Sequence, residues 1–392
     1  MDTQRLILFV VFSLSIFMLW ESWQREHAPA PPTPPTASAP GASTPTTSGI
    51  PVPSASSSNI PTANTPAGTV ASAQLPKGQR IRVTTDLISA EIDTNGADLR
   101  RLALLKQGAN EDKSRPFVLL ADEPPHYYVA QSGLIGDGLP NHKSVFTSAA
   151  PSYALAAGAD SVEARFSWQG ANGIKVDKIY TFRRGSYLID IRYEVVNGSD
   201  VALKPDAYFQ LIRDETPPQG ETKFLPTYTG PATFTEQTKF EKHDFEKIGH
   251  AKDKDSISAK DGWIAMLQHY FLAAYLPIGN VQREFYLKRV SDTLFAAGVI
   301  VPVGVVAPKA TANLDMPFYA GPQEQKTLKK LAPNLDLAVD YGWLTVIAVP
   351  IFWLLSWLHS WIGNWGWAII VLTILIKLAF YRLSAASYRS MA

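Results

Sequence analysis

Cysteine is absent from all 392 residues of the chain, which excludes a disulfide framework, a thiolate metal site and a cysteine nucleophile. Net charge is nearly absent too: 36 Lys and Arg stand against 35 Asp and Glu, for +1. Nucleic-acid binding ordinarily needs a basic domain or stripe, so no nucleic-acid partner is expected. The seven histidines (His27, His126, His142, His243, His250, His269, His359) show neither His-x-x-x-His nor His-x-His spacing, so no metal centre is implied. No Gly-x-Ser-x-Gly and no phosphate loop occurs, and no cofactor is implied. A Ser–Lys dyad could be written only by nominating any serine, which disfavours a membrane-bound hydrolase.

Charge that is present is unevenly placed. Residues 1–76 carry only Asp2, Arg5, Glu21, Arg25 and Glu26, and residues 341–392 carry only Lys377, Arg382 and Arg389. The stretch between them therefore has the charge density of a soluble globular domain, near the usual ~25%. Six of the ten tryptophans fall in the last 52 residues. The mean hydropathy of −0.03 thus averages a soluble domain with two apolar ends.

Residues 6–20 are uncharged and mostly apolar, but reach only about 22 Å as a helix, short of the roughly 30 Å hydrocarbon core. That length suits a signal-peptide core as well as an anchor. Trp20-Glu21-Ser22-Trp23 at the exit suits an interfacial aromatic anchor. The nearest cleavage pattern, Ala28-Pro29-Ala30, is crowded by prolines. Residues 1–23 are therefore read as a retained anchor with its N-terminus in the cytoplasm. Residues 24–76 follow as a tether: from 28 onward there is no charge and no aromatic ring, and twelve of the chain's 29 prolines fall there. Such a composition buries too little apolar surface to offset its ordering entropy.

From Lys77 the pattern changes to period two. Apolar and polar residues alternate through Val162-Glu163-Ala164-Arg165-Phe166-Ser167-Trp168. Tyr187, Ile189, Ile191, Tyr193 and Val195 alternate with Asp190, Arg192 and Glu194, with Leu188 as the exception. Ile174, Val176, Tyr180 and Phe182 share one face of a further run. Asn95-Gly96, Asn172-Gly173, Arg184-Gly185 and Asn197-Gly198 supply turn signals. Residues 77–320 are accordingly expected to form an all-β domain, an antiparallel β-sandwich. Trp263, Tyr270 and Phe271 could face a ligand, but core packing explains them better. Residues 321–340 read as a short helical connector, with Leu328 and Leu331 on one face and Pro322 at the first helical position.

The tail from Trp343 to Ile376 would be about 51 Å long as one helix, too long for one crossing even when tilted. The break is expected at Gly363-Asn364-Trp365-Gly366. Before it, Trp353, Trp357 and Trp361 recur every fourth residue beside Ser356, His359 and Ser360, so residues 341–362 read as an interfacial amphipathic helix. Trp365 extends that aromatic anchoring. After the break, residues 363–383 read as a transmembrane helix, and residues 384–392 begin a cytoplasmic segment, because Arg382 and Arg389 follow the positive-inside rule. Residues from about 24 to 362 are then on the outside of the membrane.

Lys377 stands about 18 Å along that crossing helix. An intramembrane Lys costs on the order of 2.5–3.5 kcal/mol on insertion scales and usually faces a polar cavity or partner. Its flexible stem also permits snorkelling to the inner headgroups about one turn away. Position alone leaves both readings open.

Several segments, in order, carry a resemblance. Asp340-Tyr341-Gly342-Trp343-Leu344, Leu358-His359-Ser360, Gly363-Asn364-Trp365-Gly366 and Tyr388 with Ser390-Met391-Ala392 resemble the YidC family, inner-membrane protein insertases of Gram-negative bacteria. Gly262-Trp263-Ile264-Ala265-Met266-Leu267-Gln268 with Tyr270-Phe271, and Tyr319-Ala320-Gly321-Pro322, are similar to that family's periplasmic domain. The resemblance covers essentially the whole chain apart from the tether. It implies a multi-pass inner-membrane protein with a periplasmic β-sandwich and five core helices enclosing a hydrophilic groove. One cation of the first core helix, commonly Arg, sits in that groove, and counting back from Ser390-Met391-Ala392 puts Lys377 there. The implied function is insertion and folding of membrane proteins as an insertase and chaperone, without covalent catalysis. The implied partners are nascent membrane proteins, the lipid bilayer, the Sec translocon (SecYEG, SecDF), and the ribosome through parts outside these residues.

Two departures from the family pattern matter. Tyr381-Arg382-Leu383 stands where an aromatic-Pro-Leu exit is expected, which puts the local helix end in doubt and could add Arg382 to the groove mouth. The sequence also stops at Ala392, before the remaining core helices, so it is read as C-terminally incomplete and not expected to insert substrates alone. The alternative reading is a membrane-anchored periplasmic β-sandwich that binds a partner, with the tail as a plain anchor.

Overall fold

The computed structural model describes residues 77–109, 112–123, 126–218, 227–250, 256–339 and 345–391. The anchor expected over residues 1–23 and the tether over 24–76 lie outside the described residues.

Period-two alternation has become two large sheets. The ten-stranded sheet runs, in spatial order, Ile257–Ala259, Arg283–Arg289, Leu294–Pro302, Asp206–Asp214, His126–Ile135, Pro116–Glu123, Asp98–Gly108, Ile88–Asp93, Arg80–Thr84 and Ser152–Ala154. The nine-stranded sheet runs Lys239–Lys242, Gly230–Thr235, Trp263–Gln268, Phe271–Tyr275, Thr311–Pro322, Leu188–Asn197, Ile174–Arg183, Ser161–Gln169 and Thr147–Ser148. Neighbouring strands are antiparallel except Arg80–Thr84 beside Ser152–Ala154, which pair parallel. The expected all-β sandwich is what the described residues form.

Side-chain alternation places the core between the sheets. Ile189, Ile191, Tyr193 and Val195 are buried with Val176, Tyr180, Phe182, Ala164 and Phe166. Each full burial of a large apolar side chain contributes about 1.5–3 kcal/mol. Their polar neighbours point outward: Arg165 pairs with Asp177 at 2.7 Å and Glu194 at 2.9 Å, and Arg192 with Asp315 at 2.7 Å. Such exposed pairs contribute little. Asn172-Gly173 turns with φ of 60° and 74°, the left-handed pair that an Asn-Gly hairpin turn requires. Asn197, by contrast, does not open a hairpin. Its buried amide donates to the carbonyls of Val201, Val306 and Ala307, and the chain crosses there to the other sheet.

Four helices are described: α1 (Phe245–His250), α2 (Gln325–Leu331), α3 (Thr345–Ile362) and α4 (Trp365–Met391). α2 and the 3-10 turn Leu335–Ala338 cover the outer face of the nine-stranded sheet, where Leu328 and Leu335 pack with Trp263, Leu267, Leu272 and Tyr319. Leu188 belongs to that second cluster. It breaks the alternation because its side of the sheet is also covered. One expectation is corrected here. Pro322 is not the first helical residue: it ends strand Thr311–Pro322 in register with Phe271, and α2 begins at Gln325. A proline suits that strand end because it has no N–H to leave unpaired.

Candidate functional site

α3 and α4 carry the residues singled out in the tail. α3 ends where Gly363 adopts φ +71° and its N–H bonds the His359 carbonyl at 2.8 Å, a left-handed C-terminal cap that favours glycine. Asn364 then caps α4: its Oδ1 accepts the N–H of Gly366 at 2.8 Å and of Trp367 at 3.3 Å, satisfying donors that otherwise have no intrahelical partner. The two caps fold the helices into a hairpin. Leu354, Leu355 and Leu358 pack against Ala368, Val371, Leu372 and Ile376.

That contact sorts the other side chains. Trp353, Trp357 and Trp361 lie off the contact face, 68%, 48% and 78% exposed. Trp357 and Trp361 have ring centroids 5.9 Å apart. Trp365 stacks on His359 at 3.8 Å with planes 10° apart. Lys377 is exposed and, at 100° per residue, lies nearly opposite the positions that meet α3. The structure therefore brings the tryptophans together in one hairpin and puts Lys377 on its other side. Arg382 lies within α4, which continues to Met391 and past residue 383. With Arg in place of proline, nothing there removes a backbone donor. The side chain of Arg382 and residues 341–344 lie outside what is described. Among the described residues, no helix is long and apolar enough to cross a membrane.

The sandwich contains a second lysine that alternation alone passes over. Lys178 shares the inward face with Val176 and Tyr180 and is fully buried. Its ammonium donates to the Gly96 carbonyl at 3.0 Å, the Ser132 carbonyl at 3.4 Å and Asp98 Oδ1 at 3.4 Å. Tyr180 and Tyr193 rings lie 5.5 and 5.7 Å from it. Burial pulls its pKa down to about 8, with Asp98 opposing the shift. The signal was in the sequence: position 178 has the inward parity of the run Ile174, Val176, Tyr180, Phe182. This cluster is closed to solvent and accounts for all three ammonium donors, so its arrangement is structural.

Trp263 is buried and its indole donates to the Pro333 carbonyl at 3.0 Å. Phe271 stacks on Phe117 at 4.0 Å, and Tyr270 is exposed. A depression of about 340 Å³ beside Trp263 is lined by Phe234, Leu276, Ile278, Leu331 and Pro333, with Glu236 and Asp261 at its rim. Among the described residues no group of three His, Asp or Glu side chains is placed to hold a metal ion.

Residues 80–354 match the family described as YidC periplasmic domain. Over the whole chain, the membrane protein insertase YidC of Nitrosospira multiformis is 50% identical, with 100% of this chain and 71% of that protein covered. The proteins of the same name from Methylobacillus flagellatus and Dechloromonas aromatica are 49% and 48% identical, each covering 100% of this chain and 70% of their own.

Proposed function

Since the chain belongs to the YidC family of membrane protein insertases, we propose that it carries nascent polypeptides into the inner membrane along a wet path past Lys377. The family's proteins are inner-membrane proteins with a periplasmic domain, and the work is insertion and folding of membrane proteins, not covalent catalysis. The carrying observation is the match to insertases along the entire chain, tail included.

The physical problem is desolvation. A polar segment crossing hydrocarbon loses the water around its charges and peptide groups, each at a cost of several kcal/mol. A hydrated groove shortens the dry path. In this reading α4 is the first of the core helices that enclose the groove, and α3 lies in the headgroup layer with Trp353, Trp357 and Trp361 against lipid. Support for α4 as the crossing helix comes from the family match and from its exposed Ile369, Ile370, Ile374, Leu375, Leu378 and Phe380. Lys377, on the face α3 leaves free, attracts acidic residues of the incoming segment, and the low dielectric strengthens that attraction. Arg382, about one turn further along, extends the positive field toward the cytoplasm. The substrate's apolar helix then partitions into lipid, which needs no nucleotide. The Sec translocon is the partner for longer translocated segments, and the ribosome delivers the chain from the cytoplasmic side.

The test compares Lys377→Arg with Lys377→Ala in the intact protein, supplied to cells depleted of their own insertase. Arg keeps the charge and preserves insertion. Ala loses insertion of substrates whose translocated segment is acidic. Equal insertion by both removes the role of the cation. A photocrosslinker at 377 captures nascent membrane proteins if the residue faces a groove, and only lipid or the protein's own helices if the tail is an anchor.

A further inference from the structure

Among the described residues the sandwich exposes few large aliphatic side chains: besides Val196 and Leu337, five lie on loops, while the exposed Tyr270 lies at the other end. Val145, Val201, Ile278, Val281 and Val305 are each between 44% and 70% exposed. All five sit on connections that cross between the two sheets, and the strand registers put those connections at one end. Asp206 pairs with both Ile135 and Pro302, so the loops 136–146, 198–205 and 303–310 leave the sheets together. Leu203 and Val306 bond each other's backbone across two of them. Loop 276–282 enters the strand Arg283–Arg289 two residues from where Glu284 faces Ile300, hence beside Pro302. The same loops also carry Asp137, Lys143, Asp200, Lys204 and Lys309, with Lys309 paired to Asp200 at 3.0 Å.

Loop 276–282 is held rigidly. Arg283 is buried, and its guanidinium donates to the carbonyls of Val281 at 3.1 Å, Pro277 at 2.8 Å and Ile278 at 3.4 Å, and to that of Gly279. One buried cation is thus used to fix an uncharged loop that displays Ile278 and Val281. A rigid apolar tip loses little conformational entropy on burial, which is what a docking residue needs.

We propose that this end of the sandwich seats on the outer leaflet of the membrane, its Val and Ile side chains entering the boundary between headgroups and acyl chains. Chain length selects lipid as the occupant. Trp263 holds Pro333 against the 340 Å³ depression that Ile278 also lines, and the 3-10 turn Leu335–Ala338 advances the chain only about 8 Å before Val339. From Val339 to Thr345, the first residue of α3, six links span at most ~22 Å. With α3 in the headgroup layer, this end cannot stand far from the bilayer. Local charge agrees: Lys329 and Lys330 end α2 just before Leu331 at the depression, placed to meet anionic phosphates. The acids there are engaged, Glu236 with Lys239 at 2.9 Å and Asp261 with the Glu236 N–H at 2.8 Å. The inference rests on α3 and α4 being membrane elements.

The absence of cysteine allows the test with unique labels on the 392-residue chain in phosphatidylethanolamine–phosphatidylglycerol vesicles. An environment-sensitive fluorophore is placed at Val201→Cys, Ile278→Cys or Val305→Cys, with Tyr270→Cys at the opposite end and Trp357→Cys on α3 as controls. All these positions are exposed, so labelling leaves the core intact. Emission at 201, 278 and 305 shifts to the blue and is quenched by shallow spin-labelled lipid several-fold more than at 270. Quenching at 357 without quenching at 278 or 305 overturns the seating alone. No quenching at any position overturns it together with the membrane placement of α3. Shielding of 278 from iodide that rises with protein concentration at fixed lipid assigns the surface to a second copy, and likewise overturns it.

Discussion

Two lysines stand in apolar surroundings in this protein, and they are opposites. Lys178 lies between two sheets with every donor engaged, a carboxylate at 3.4 Å and tyrosine faces around it. Lys377 lies on the outside of a helix hairpin, away from the α3 contact, among exposed Leu and Phe side chains. A buried cation with complete partners is a rigid part of a core. Among the described residues the Lys377 side chain has no ion pair or hydrogen bond, so under the proposed function it is open to an incoming segment. Burial by itself does not mark function.

Truncation separates the two most strongly. Lys178→Met takes the lysine donor from the Gly96 and Ser132 carbonyls and leaves Asp98 with Arg100 and the Ser132 N–H; it costs on the order of 3–5 kcal/mol, read by denaturant unfolding of the sandwich. Lys377→Met changes that same transition by less than about 0.5 kcal/mol; a larger loss would make Lys377 structural as well. A pH titration sharpens the contrast. Because the folded pKa of Lys178 is about 8 against an ordinary 10.5, its destabilisation is complete below pH 8. Between pH 8 and 10.5 the unfolded chain binds the extra proton, so the Lys178 contribution to stability rises with pH in that window. Wild type compared with Lys178→Met isolates the slope, and an unchanged slope would show that Lys178 is not the titrating group. The smallest effect concerns the hairpin itself. Asn364→Ala removes the cap of α4 and costs about 1 kcal/mol, visible as faster amide exchange at Gly366 and Trp367 with the sandwich unaffected.

Much of the fold was legible because its signals are local. The runs around Phe166, Tyr180 and Ile191 alternate at the period of a strand, and their burial follows. Gly363-Asn364 announces a helix end and the next helix start, and both caps form there. Local reading fails where partners are distant in the chain. Lys178 interrupts an apolar face, and only Asp98 and Ser132, from strands of the facing sheet, and Gly96, from the turn before Asp98, explain how it can stay there. Leu188 and Pro322 were misfits for the same reason: one is covered by a helix far along the chain, the other is paired with Phe271. The candidate site was half legible. The tryptophan spacing and the cation at 377 can be seen in the letters, whereas their separation onto different sides of a hairpin depends on Leu358 meeting Leu372.

By itself, the order of amino acids determined the strand runs, the sandwich class and the family, since periodicity, turn signals and motif order are properties of neighbouring residues. Tertiary structure alone decided that Lys178 is buried with its donors engaged and that Lys377 is exposed on α4. Those outcomes depend on contacts between residues distant in sequence, 46 to 82 positions apart for Lys178, because a side chain's environment is set by whatever packs over it.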